Sequence, residues 1–219
     1  MSRWRRRQGG TDNPFSAPYY ATSERLSLSE LRESVVAIVK AHGLEYRKEP
    51  FTLASGEQSH DYMDGKKALA EGRHLRIACQ AIVELAHNVE AEFDAVGGLT
   101  LGADAFATGV ALLTDKKWFV VRKKAKEHGK GRRIEGANLG PGVRVLLVDD
   151  VVTTGGSILE ALEAVKGTGA TITLAVTLVD RGDVAAERFA DLGVAYHPLI
   201  TYGDLGIQPV GRSRTAAAS

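Results

Sequence analysis

The segment Val145-Leu146-Leu147-Val148-Asp149-Asp150-Val151-Val152-Thr153-Thr154-Gly155-Gly156-Ser157 decides the fold of this 219-residue chain. Its apolar run up to Val148 has no polar alternation, the pattern of a strand buried on both faces. Such strands belong to parallel sheets with helices on both sides. Two carboxylates, Asp149 and Asp150, end the run. A loop of hydroxyls and glycines then feeds a helix that begins near Ser157. In open α/β sheets, ligands bind just beyond the carboxyl ends of strands, and this segment sits at such an end.

Strand and helix patterns alternate on either side of it. Upstream, Ser27 and Glu30 have capping-box spacing, and Leu28, Leu31, Val35 and Val39 recur on one helical face until Gly43. Residues 51–64 read as a hairpin with a turn at Ser55-Gly56. Leu75, Ile82, Leu85 and Val89 mark a second helix. Residues 93–96 and 118–121 read as strands around a small-residue helix at 103–113, and residues 123–140 as a long polar loop. Residues 143–148 form the central strand and 157–166 the next helix. Strand 171–179, helix 184–192 and strand 195–200 complete the pattern. The order predicts an α/β fold with a mostly parallel sheet flanked by helices. Residues 1–26, with Arg3, Arg5, Arg6 and Arg7, read as a disordered basic leader or as an RNA or phosphate contact. Residues 27–207 form the domain, and 208–219 a tail.

Composition narrows the function. A net charge of +1 argues against a global field for nucleic acid or membrane. No apolar run has the length of a membrane span, and the basic N-terminus has no apolar segment behind it. The single cysteine, Cys79, lies within an apolar helical pattern, as expected of a buried thiol in a reducing, cytoplasmic setting. His42, His60, His74, His87 and His197 have no metal-ligand spacing. There is no G-x-x-x-x-G-K-[ST], no G-x-G-x-x-G and no G-x-S-x-G, so those nucleotide and hydrolase routes are disfavoured.

The central turn carries the chemistry. Gly155 and Gly156 let the backbone approach a ligand and free amides to point one way. The helix that follows offers unpaired N–H groups and its positive dipole end. Together these form a phosphate cradle, to which Thr153, Thr154 and Ser157 add hydroxyls. Asp149 and Asp150 repel phosphate but suit hydroxyl donors, or a metal shared with a ligand. A sugar phosphate with a free diol satisfies both halves.

This segment resembles the signature of type I phosphoribosyltransferases for phosphoribosyl pyrophosphate (PRPP). The resemblance implies that Asp149 and Asp150 bind the ribose hydroxyls and residues 153–157 the 5′-phosphate, with Val151 and Val152 part of the same binding stretch. A second segment, Val121-Arg122-Lys123-Lys124-Ala125-Lys126-Glu127-His128-Gly129-Lys130-Gly131-Arg132-Arg133, is strongly basic and has no apolar face. Such a run is usually a solvated loop, and no aromatic interleaves it for stacking bases. Loss of pyrophosphate from PRPP needs cations on the leaving group and exclusion of water from a cation-like sugar. A lysine-rich loop punctuated by glycine that closes on the ligand meets both needs. Mg²⁺ would be held mainly through pyrophosphate oxygens and water, with no direct protein ligand assigned.

The string R-K-x-x-K-x-H-G resembles the mobile catalytic loop of the orotate phosphoribosyltransferases. That resemblance implies Arg122, Lys123, Lys126 and His128 as PRPP contacts, with Lys126 matching the family's catalytic lysine and His128 a further donor to the leaving group. It also implies a homodimer whose loops reach the neighbouring site, and no nucleic-acid partner. The hairpin, including Asp61-Tyr62-Met63-Asp64, resembles the family's hood over the base. Gly97-Gly98-Leu99-Thr100-Leu101-Gly102-Ala103 resembles the loop that approaches pyrophosphate. Arg181, after a strand, matches the arginine that meets the orotate carboxylate, with Thr153 beside it. The chain departs from the pattern at Ala54 and at Thr100-Leu101, where many or some bacterial members carry lysine or Tyr-Lys, which suggests a subfamily that leans more on the basic loop. Phosphoribosyl transfer to another base, or a PRPP-sensing regulator of the same fold that binds nucleic acid, are the alternatives.

Overall fold

In a computed structural model, which describes residues 26–53, 56–124 and 133–211, hydrophobic patterning becomes two apolar layers around one sheet. Helix α1 (Leu28–His42) starts with the reciprocal Ser27–Glu30 capping box and buries Leu31, Val35, Ile38 and Val39. Strands β1 (Leu44–Thr52) and β2 (Gln58–Met63) form a separate antiparallel pair, the hood. A short helix, α2 (Gly65–Ala68), returns the chain to the main body. Then come α3 (Gly72–Asn88), β3 (Ala95–Leu99), α4 (Asp104–Thr114), β4 (Lys117–Val121) and β5 (Ile134–Gly136). The remainder is β6 (Arg144–Val152), α5 (Gly156–Lys166), β7 (Thr171–Asp180), α6 (Val184–Asp191), β8 (Tyr196–Thr201) and α7 (Tyr202–Leu205).

The main sheet has the order β5-β4-β3-β6-β7-β8, parallel except for β5. This is the α/β architecture expected from the sequence. Alternation along β6 sends Leu146 and Val148 into the layer built with α1, α3 and α4, while Val145 and Leu147 enter the layer built with α5 and α6. Both faces of the strand are therefore covered, which explains its unbroken apolar run. β6 lies at the centre, between β3 and β7.

Several boundaries differ from the sequence reading. β6 continues past Val148 through both acids to Val152, because Asp149, Val151 and Val152 remain paired with β7. β3 occupies 95–99 rather than 93–96, since its pairing with β4 runs to Leu99. The hood strand begins at Leu44, not near Phe51. Helix α5 starts at Gly156, one residue early. The stretch read as a polar loop contains β5, whose Ile134, Glu135 and Gly136 pair with β4 as an edge strand. Three residues of mixed character carry no periodicity to reveal it.

Candidate active site

The acids stand where the strand ends and the helix has not begun. Asp149 is 3% exposed. Its Oδ2 accepts a hydrogen bond from Ser157 Oγ at 2.5 Å, and its Oδ1 accepts one from the Asp150 amide at 3.0 Å. Burial pushes its pKa up to about 6 against these bonds, and the neighbouring Asp150 charge adds to the rise. Asp150 is half-buried; its Oδ1 accepts from the Val151 amide at 2.8 Å. Its Oδ2 lies 2.5 Å from Lys66 Nζ.

Gly155 precedes α5 with φ of +76°, a left-handed conformation that glycine adopts without strain. This bends the chain so that the next residues enter the helix. Among the described residues, no acceptor takes the amides of residues 153–157. Five successive donors in the turn that follows the acid pair can nest an anion. Arg188 Nη1 donates to Thr154 O at 2.9 Å and ties the loop to α6. Val152 is buried in the layer with α5 and α6 and Val151 packs against the opposite layer, so their side chains anchor the platform on both faces of the sheet.

Residues 99–102 form the opposite wall. Gly102 lies so close to the acids that an added Cβ would stand 2.3 Å from Asp149 Oδ1 and 2.9 Å from Asp150 Oδ1. Thr100 Oγ1 donates to Asp104 Oδ1 at 2.9 Å and pins this loop to the start of α4. A cleft of about 670 Å³ is lined by Lys66, Leu99, Thr100, Leu101, Gly102, Arg122, Lys123, Lys124, Asp149, Asp150 and Ser157. It thus brings the acids, residues 99–102 and the start of the basic segment together. Arg122 Nη1 also donates to Glu135 at 2.9 Å, while Lys123 and Lys124 are exposed. Lys126 and His128 lie outside the described residues, as does Ala54.

Arg181 follows β7 and sits beside the same turn, its amide donating to Val152 O at 2.9 Å. Its side chain is 2% exposed, and Nη2 donates to Ser59 Oγ of the hood at 3.1 Å. Nε has no partner among the described residues. Burial pulls the guanidinium pKa down and Asp61 opposes this, so Arg181 remains a cation. A buried cation with an unpaired N–H suits an anionic ligand entering under the hood. Asp180 fixes this turn. Its Oδ1 accepts from the Gly182 amide at 3.1 Å, and its Oδ2 from Tyr196 Oη at 2.8 Å. From the far end of the chain, the Val210 amide donates to Arg181 O at 2.8 Å and the Gly211 amide to Glu57 Oε2 at 2.6 Å.

Sequence reasoning missed Lys66, which reaches Asp150 across 84 positions. It also missed Asp180, Tyr196 and residues 210–211 around Arg181. The only local hint of Lys66 was a Lys-Lys pair just after the hood.

No group of three or more His, Cys, Asp and Glu side chains that could hold a metal occurs among the described residues. The donor set is an acid pair, each carboxylate already accepting protein hydrogen bonds. This fits a Mg²⁺ ion that takes most of its six oxygens from substrate and water. No described helix is long and apolar enough to cross a membrane.

Residues 66–195 match the phosphoribosyl transferase domain family. The orotate phosphoribosyltransferase of Pyrococcus furiosus is 44% identical over 155 residues, covering 71% of this chain and 85% of that protein. That of Corynebacterium glutamicum is 40% identical over 181 residues, covering 82% and 94%. The crystal structure of the Mycobacterium tuberculosis orotate phosphoribosyltransferase in complex with PRPP superposes with a TM-score of 0.67 at 32% identity, covering 81% of this chain and 99% of that one. A sequence likeness that runs through the acid pair, the nest and the hood, and a backbone that follows a PRPP-bound relative, place this chain in the orotate phosphoribosyltransferase family.

Proposed function

We propose that this chain transfers the ribose 5-phosphate group of PRPP to orotate, giving orotidine 5′-monophosphate and pyrophosphate in pyrimidine synthesis. The observation that carries the reading is the joint presence, among the described residues, of a buried Asp149 beside a half-buried Asp150, five unpaired amides in the turn that follows, and a buried Arg181 with an unpaired Nε.

The steps follow from these groups. The 5′-phosphate occupies the amides of residues 153–157, and the diol donates to Asp149 and Asp150. Arg181 takes the orotate carboxylate, with Thr153 alongside, while the hood covers the base. Orotate's ring nitrogen forms its bond to the anomeric carbon as the bond from that carbon to pyrophosphate breaks; the electron pair leaves with pyrophosphate, and the ring N–H proton passes to the leaving group or to water. Arg122, Lys123, Lys126 and His128 neutralise the departing charge. Asp149 and Asp150 are the residues that would hold a Mg²⁺ ion entering with the substrate, which would supply positive charge to the pyrophosphate. Arg122, Lys123 and Lys124 line this chain's own cleft, and the remainder of the basic segment reaches the neighbouring site of a homodimer. A thiol at Cys79 whose pKa burial pushes up to about 12 is inert and suits a reducing, cytoplasmic setting.

Pyrophosphate release should require orotate, PRPP and Mg²⁺ together. Turnover with uracil, hypoxanthine or adenine and none with orotate would replace the base assignment.

A further inference from the structure

We propose that Lys66 is a substrate-contact residue: its ammonium bridges Asp150 and the pyrophosphate of PRPP. The inference rests on the proposed PRPP site and adds to it a cation delivered by α2, just after the hood, rather than by the basic segment.

The placement is built, not incidental. The Asp64 amide donates to Gly43 O at 2.9 Å, and Asp64 Oδ1 caps α2 by accepting from the Lys67 amide at 2.9 Å. Gly65 then seats the turn on β6: a Cβ there would stand 3.3 Å from Asp150 Cβ and 3.2 Å from Val151 Cγ2. These contacts direct Lys66 to the acid pair. Its side chain is 60% exposed while that of Asp150 is only 14% exposed, so the ammonium sits at the cleft side of the carboxylate. Burial alone would lower its pKa, but the bond to Asp150 and the charges of Asp150, Asp64 and Asp149 outweigh that and keep it protonated.

Chemistry assigns the rest of the cleft. Residues 153–157 take the 5′-phosphate and the acids take the diol. The pyrophosphate must therefore extend toward residues 100–102 and 122–124, which line the same cleft as Lys66. An ammonium has three donors, and one of Lys66's goes to Asp150 at 2.5 Å. The others can reach a phosphate oxygen next to the anomeric carbon. Arg122 already shares its guanidinium with Glu135, so Lys66 is the cation in direct touch with the diol acids among the described residues. Its positive charge there also favours the negative charge that grows on the leaving oxygen.

Calorimetry on the full chain separates the roles by using PRPP, pyrophosphate and ribose 5-phosphate as probes. Lys66→Met should weaken PRPP and pyrophosphate by about 10- to 100-fold, the range for a lost hydrogen bond to a charged group. Ribose 5-phosphate has no pyrophosphate and keeps the amides of residues 153–157 and both carboxylates, so its affinity should stay within about 3-fold. Lys66→Arg should restore part of the loss, and the ligand-free melting temperature should hold, as for an exposed ion pair. If Lys66→Met folds poorly, Lys66→Gln carries the same comparison. An equal loss for ribose 5-phosphate would mean that Lys66 only orders Asp150, and unchanged PRPP affinity would mean it touches nothing; either overturns the proposal. Wild-type protein that binds no PRPP would instead sink the proposed function itself.

Discussion

Replacing Asp149 by Asn removes a charge from a site that resists ionisation. Burial raises this carboxyl's pKa from 3.8 to about 6. Between these values the folded protein holds a proton that the unfolded chain has released. Stability from this group is complete below about pH 4 and is lost as pH rises through about 6. Above that, ionisation costs the folded state about 3 kcal/mol, at about 1.4 kcal/mol per pH unit. Asn keeps the shape: its oxygen can accept from the Asp150 amide, and the Ser157 hydroxyl can turn to accept from its NH₂. Ligand-free Asp149→Asn should therefore melt about 6–12 °C above wild type at pH 7.5, the shift about 3 kcal/mol gives in a domain of this size. The gap should close by about pH 4. Turnover at pH 7.5 should fall about 100-fold or more, since the diol loses a charged acceptor. Thermal unfolding at pH 4, 5, 6 and 7.5, paired with pyrophosphate release, reads both. A variant less stable than wild type at pH 7.5, or a gap that ignores pH, would refute the reasoning.

Three further outcomes test the site. Arg181→Lys cannot place two parallel N–H groups, so steady-state kinetics should show KM for orotate rising about 30-fold or more while KM for PRPP moves little. Gly102→Ala would force a Cβ to within 2.3 Å of Asp149 Oδ1; kcat/KM for PRPP should fall about 10-fold or more, with stability down about 1–3 kcal/mol by denaturant titration. Tyr196→Phe strips Asp180 of the Tyr196 hydroxyl that donates at 2.8 Å. Chemical unfolding should show a loss of about 1–3 kcal/mol, and a rise in orotate KM would show that the Arg181 turn has loosened.

The parallel sheet and its central strand were legible in the chain alone. Burial on both faces leaves an apolar run that needs no partner to be read, and the acids, hydroxyls and glycines of the turn are contiguous. The first helix was legible for the same reason, because its capping box and apolar face are local. Tertiary structure alone decided what meets the turn. Lys66 on Asp150, Ser59 on Arg181, Glu57 on Gly211 and Tyr196 on Asp180 join residues that share no sequence pattern. The raised pKa of Asp149 also appears only in three dimensions. A carboxylate's charge is written in the chain, but its desolvation depends on every element packed around it.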